Sequence, residues 1–154
     1  MAKEVIVRGK RAHSLPTIEH AQKQHCKLVP FWQLYLYVVK AQGVEDFYKD
    51  LYQHFRENDS PSEKGANQGM DQLDFVRQAC KYSGYDLTEF FEQWGFLTPV
   101  NALVDDYTSR NLIITNKDVD ALKEEIKNAG YKKAHAEIYN ITDKTWMDYQ
   151  GEPK

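Results

Sequence analysis

Five histidines, His13, His20, His25, His54 and His135, are the side chains best suited to hold a metal or move a proton near neutral pH. A helical zinc pair needs two of them four residues apart, so that both rings face one way, with a glutamate as general base beside the first. No His-Glu dipeptide occurs, so the HExxH pattern is absent. The run "HSLPTIEH" ends in Glu19-His20, as the inverted zinc motif does. That motif allows two residues between its first histidine and the glutamate; here five separate His13 from Glu19, Pro16 among them. His20 and His25 are five apart and diverge by about 140° on a helix. The sequence assigns no metal to this chain.

Other candidates for chemistry fail on equally local grounds. "NKDVD", residues 116–120, opens like a calcium loop, but such a loop needs glycine at its sixth position and glutamate at its twelfth. Ala121 and Lys127 stand there, so the acids read as charges at a helix N-terminus. Asp105 and Asp106 read as a solvated loop pair. His25 beside Cys26 is no nucleophile dyad, because sequence neighbours rarely meet in the needed geometry. No G-x-S-x-G elbow and no glycine-rich phosphate loop occurs. Asn58 and Asn140 head N-x-[ST] triplets of the kind common by chance. Cys26 and Cys80 do not make a disulfide framework, and their pairing is left open.

The formal charge of −3 gives no broad basic field for nucleic acid; the one basic cluster is Lys3, Arg8, Lys10 and Arg11. With 42% hydrophobic and 28% charged residues in 154, the composition is that of a globular domain with a core of its own. The first residues, "MAKEVIVRGKRAHS", lack the apolar stretch of a secretory signal.

The elements that must position any site are mostly helices. "KLVPFWQLYLYVV" is the most apolar stretch, and from Leu28 to Val39 Gln33 is the only clearly polar side chain apart from two tyrosine hydroxyls. Its twelve apolar-rich residues, 28–39, are too few for a helix that spans a bilayer, which takes about 20. The spacing predicts a helix from Pro30 to Gln42, stopped by Gly43. Phe31, Leu34, Tyr35 and Val38 form one stripe, Trp32, Leu36 and Val39 a second, and Gln33, Tyr37 and Lys40 a narrow polar edge. A helix apolar over most of its girth lies among other elements.

Helices are also predicted over 17–26, 44–57 and the run beginning at Gln68 and ending at Gly84. In "DLTEFFEQWG", Asp86 and Glu89 have capping-box spacing, with Phe90, Phe91 and Trp94 as the apolar side and Gly95 as the stop. "NLIIT" reads as a strand, and residues 116–129 as a helix capped by Thr115 and ended by Gly130. "AEIYNITD", 136–143, reads as extended. The fold class is mainly α: a bundle of four to five helices followed by a small β/α appendage. Residues 1–16 read as an N-terminal tail or added segment, 17–97 as the bundle, 98–145 as the appendage and 146–154 as a tail. Phe31, Trp32, Leu34, Tyr35, Phe90, Phe91 and Trp94 are the expected core.

The runs "LVPFWQLYLYV", "DFYKDLYQHFRE", "QLDFVRQAC" and "DLTEFFEQWGFLTPVN", in this order, resemble the C-terminal helical part of the enhancin-like zinc metallopeptidases, a family of viral enhancins and bacterial mucin-directed proteases. The resemblance runs from about Lys27 to Tyr139. In that family zinc is held by an HExxH helix and a downstream glutamate, both N-terminal to the region seen here. No position of this chain matches them, so zinc is implied only for a full-length parent. The resemblance implies a non-catalytic part of a gluzincin-type enzyme, cut from or left by a longer one, that forms one wall of the substrate cleft. Its partners would be the N-terminal catalytic half and, through it, a protein or glycoprotein substrate, in a parent that is secreted or at the cell surface. Gln33, Tyr37 and Lys40 are then the candidate cleft-facing residues. A free-standing helical module that binds protein or glycan is the alternative.

Overall fold

The structure, a computed structural model, describes residues 28–62, 67–105 and 109–153. The expectations placed on residues 1–27, including the helix over 17–26, the basic cluster, His13, His20, His25 and Cys26, lie outside the described residues, as does Asp106.

The first helix, α1, covers residues 28–41, and its second half, Tyr35–Ala41, is π-helical. Pro30 is buried in the first turn, where its missing N–H costs nothing. Leu36, Tyr37 and Val38 are fully buried in succession, as a helix packed on most sides requires. The wider π turn changes the angle between successive side chains, and along the edge of Gln33, Tyr37 and Lys40 the first two are buried and Lys40 is exposed.

Helix α2, Phe47–Glu57, follows Gly43, whose φ of 74° ends α1 in the left-handed region. It buries Phe47 and Leu51. Helix α3, Gln68–Ser83, is capped by Asn67, whose side chain accepts from the Gly69 N–H at 3.0 Å.

After the short strand β1, Tyr85–Asp86, comes α4, Thr88–Gln93. Its cap differs from the expected box. Leu87 occupies the cap position, and Asp86 Oδ1 accepts the Thr88 N–H at 3.0 Å from one residue further out. Asp86 is held in a parallel ladder opposite Lys133, and Leu87 is buried, so the register of the strand sets where the helix begins.

Strands β2, Val100–Asp105, and β3, Ser109–Ile114, form an antiparallel hairpin with Val100 opposite Ile114 and Leu103 opposite Asn111. Helix α5, Asn116–Ala129, carries a full capping box: Asp118 N–H donates to Thr115 Oγ1 at 3.1 Å, and Thr115 N–H donates to Asp118 Oδ2 at 3.0 Å. Strand β4, Lys132–Lys133, returns to pair with β1.

Two stretches depart from the sequence reading. Residues 136–143 are not extended: Ile138–Asn140 is a 3-10 turn. Ile138 and Ile141 are both buried, and a strand would send residues three apart to opposite faces, whereas a 3-10 turn stacks them on one. Residues 146–153, read as a tail, are instead seated on α1 through a second 3-10 turn, Trp146–Tyr149.

The molecule is mainly helical with two small strand pairs. A single buried cluster joins Leu34, Leu73 and Phe91 of the helices to Leu112, Leu122, Ile138 and Ile141 of the later segments, so bundle and appendage share a core. Among the described residues no helix is long and apolar enough to cross a membrane.

Candidate functional site

The edge of α1 singled out by its polar side chains lies beneath the C-terminal segment, residues 134–151. Gln33 is 6% exposed. Its amide nitrogen donates to the Tyr139 carbonyl at 2.6 Å and reaches the Ile141 carbonyl at 3.4 Å, while its oxygen accepts the Trp94 indole N–H at 2.9 Å. One amide thus joins α1, the end of α4 and the C-terminal segment, with donor and acceptor capacity both used.

One turn further, Tyr37 is fully buried. Its hydroxyl lies 3.1 Å from His135 Nδ1 and accepts the His135 backbone N–H at 3.2 Å. Burial raises the Tyr37 pKa, and burial lowers that of His135 against the opposing pull of Glu152. A third clasp is formed by Gln42, whose amide donates to the carbonyls of Tyr149 at 2.7 Å and Gly151 at 3.3 Å. At the exposed end Lys40 Nζ sits 4.8 Å from the Trp146 ring centroid, a cation–π contact. Gln33 and Tyr37 are therefore covered in this structure, and only Lys40 of the three faces solvent.

Of the expected core, Leu34, Phe90 and Phe91 are buried. Phe31, Tyr35 and Trp94 are half-buried against it. Trp32 is a correction: it is 49% exposed and joins no aromatic cluster with α4. It lies in the first turns of α1, stacks on Tyr35 at 5.0 Å between ring centroids and donates its indole N–H to Asp143 at 3.1 Å. An indole whose N–H finds its partner at the surface keeps one face wet. The cluster that does link the helices runs through Phe75, which meets Phe31 edge-on at 5.6 Å and Phe91 at 6.0 Å.

Gln33, as the lone amide in an apolar run, is legible in the sequence as a group that must find partners, whereas His135 and Gln42 as clasps carry no local signal, because their partners lie about a hundred residues away in the chain. His54, the other described histidine, lies 3.2 Å from the Tyr82 hydroxyl and lines a cavity of about 280 Å³ with Asp71, Asp74 and Phe75. Among the described residues no three of His, Cys, Asp and Glu are grouped to hold a metal ion. These residues do not fit a zinc site. Cys80 is a buried free thiol that accepts the Leu87 N–H at 3.4 Å, and burial pushes its pKa up to about 12, far from a nucleophile's range.

The polar edge of α1 is thus engaged in hydrogen bonds that hold the C-terminal segment. Residues 4–95 match the family described as peptidase M60, enhancin and enhancin-like, and the chain belongs to that family. No curated protein matches it. Among solved structures it is similar to a metallopeptidase from Bacteroides thetaiotaomicron, with 25% identity and a TM-score of 0.60 over 79% of this chain and 22% of that one. It is similar also to a metallopeptidase in complex with Tn antigen, again with 25% identity, at a TM-score of 0.59 over 79% of this chain and 24% of the other. The chain thus spans less than a quarter of the length of the solved structures it matches.

Proposed function

We propose that this chain acts as the non-catalytic helical part of an enhancin-like zinc metallopeptidase, forming one wall of the substrate cleft and buttressing a zinc-bearing half supplied by other sequence. The observation that carries this reading is the likeness of most of this chain to a small share of a metallopeptidase, while its own described residues group no metal ligands. Gln33 and Tyr37 serve the wall from beneath, by fixing the segment 134–151 that lies over them, and Lys40 with Trp146 forms its exposed end. The relative solved with Tn antigen supports a glycoprotein as the substrate of the assembled enzyme. An enzyme for mucin-like substrates works outside the cell.

The test is docking in trans. The chain is mixed with a purified HExxH-bearing half of a related metallopeptidase, and binding is read by calorimetry alongside cleavage of an O-glycosylated peptide. A complex that cleaves where neither part does alone supports the wall. A second reading, a free-standing module for a protein or glycan partner, is favoured by one feature, the exposed Trp32 ring stacked on Tyr35. Glycan binding by the chain alone, lost in Trp32→Ala, with no docking of the catalytic half, would favour that reading instead.

A further inference from the structure

Besides the Trp32–Asp143 hydrogen bond and the Lys40–Trp146 contact, three side chains of α1 and its C-cap, Gln33, Tyr37 and Gln42, hold the segment 134–151, and they differ in kind. The outer two are amide clasps, Gln33 to the carbonyls of Tyr139 and Ile141, and Gln42 to those of Tyr149 and Gly151. Neither changes with pH. The middle one pairs Tyr37 with His135 and is the only one built on a group that titrates near neutrality.

Its hydrogen bonds suit a neutral ring with Nδ1 bare. The Tyr37 oxygen already accepts the His135 backbone N–H, so the 3.1 Å contact to Nδ1 is satisfied when the hydroxyl donates and Nδ1 is bare. An added proton on Nδ1 sets two donors against each other, in a place where Tyr37 is wholly buried. The nearby amide oxygen of Gln42 already accepts one bond, from the Tyr85 hydroxyl at 3.2 Å. The imidazole also packs against the rings of Tyr37 and Tyr149, both at 5.6 Å, so its position governs the end of the segment as well.

We propose that His135 is an acid-sensitive pin: when its imidazole takes up a proton, the segment lifts from Tyr37 here and at Tyr149, while Ile138 and Ile141 stay seated in the core. The groups that face this pin are Tyr85 and Asp86 of β1, Glu89 of α4, Lys133 of β4, and Tyr149 and Glu152 of the segment itself. Asp86, Glu89, Lys133 and His135 border one cavity of about 120 Å³, which gives a protonated ring space and water into which to swing. Burial holds the folded His135 pKa below its ordinary 6.5, with Glu152 opposing. The neutral ring therefore adds stability that is complete above that ordinary value and is lost as pH falls through the lowered folded one.

The experiment follows hydrogen exchange of single amides by NMR in the intact chain, from about pH 7.5 to about pH 5.5, corrected for the intrinsic exchange rate, beside the titration of the His135 ring. The His135 amide, bonded to Tyr37, is the reporter; those of Asn140 and Ile141, bonded within the 3-10 turn, are the controls. Protection of the His135 amide is expected to fall several-fold, with a midpoint on the ring's own titration, while the controls hold. A ring that titrates with no change in that protection overturns the proposal, as does loss of protection at all three amides together. In His135→Gln the segment's pH response is expected to vanish; its survival there would also overturn it. His135→Asn gives the same comparison if His135→Gln does not fold. None of these readings needs a zinc-bearing partner, so this inference and the proposed function fail separately.

Discussion

The indole N–H of Trp94 donates to the side-chain oxygen of Gln33 at 2.9 Å, across 61 positions of sequence. The bond ties the end of α4 to the one clearly polar side chain inside the most apolar stretch of the chain. The same amide spends its two donors on the C-terminal segment, so three parts of the fold meet at one residue.

Gln33→Leu removes the acceptor of Trp94 and the donor to Tyr139 and Ile141 at once. Leaving buried partners unpaired costs about 1–3 kcal/mol. Urea melts of the mutant are expected to show a loss of that size. Combined with Trp94→Phe, which deletes only the N–H, the double mutant should cost less than the sum, by about 0.5–3 kcal/mol. Additive losses would mean that the bond contributes nothing.

Gly69 sits in the first turn of α3, where a Cβ would overlap the Ile113 carbonyl oxygen and crowd the Ile114 side chain. Asn67 fixes that approach, accepting the Ile113 N–H at 2.9 Å and donating back to its carbonyl at 3.1 Å. Gly69→Ala is expected to destabilise the chain by about 1–3 kcal/mol or more, because the strand must move off the helix. Thermal melts check it, and an unchanged Tm would show that the helix and hairpin are not so closely apposed.

Cys80 should resist thiol reagents at about pH 8, since burial both shields it and keeps it protonated. Peptide mapping after brief labelling is expected to find Cys80 unmodified in the native chain and modified in urea. Rapid native labelling would place that face of α3 at the surface.

How much of this was legible beforehand varied with the range of the interaction. Local chemistry was readable: Gly43, Gly84, Gly95 and Gly130 all take the positive φ that ends a helix, and Thr115 caps α5. The apolar girth of α1 foretold its burial. The cap of α4 is displaced by one residue because the β1–β4 ladder, formed with residues 47 positions away, sets the register. Residues 136–143 carry β-branched side chains that suggest a strand, but Ile138 and Ile141 both face the core and impose a turn. Trp32 was grouped with the core by helical spacing, which says nothing of where neighbouring elements stop. The sequence offers His135 only as one of five candidate metal or proton-transfer groups, and not as a partner of Tyr37, which is 98 positions away.

The central claim is that this chain supports catalysis without performing it, and metal content beside activity tests it most directly. The purified full chain, dialysed extensively against chelator-free buffer, is assayed for zinc by mass spectrometry and for cleavage of an O-glycosylated peptide, alone and with an HExxH-bearing half of a related enzyme. No stoichiometric zinc and no cleavage are expected from the chain alone, with cleavage appearing or rising when the two are combined. One tightly held zinc per chain, or cleavage by the chain by itself, would contradict the account.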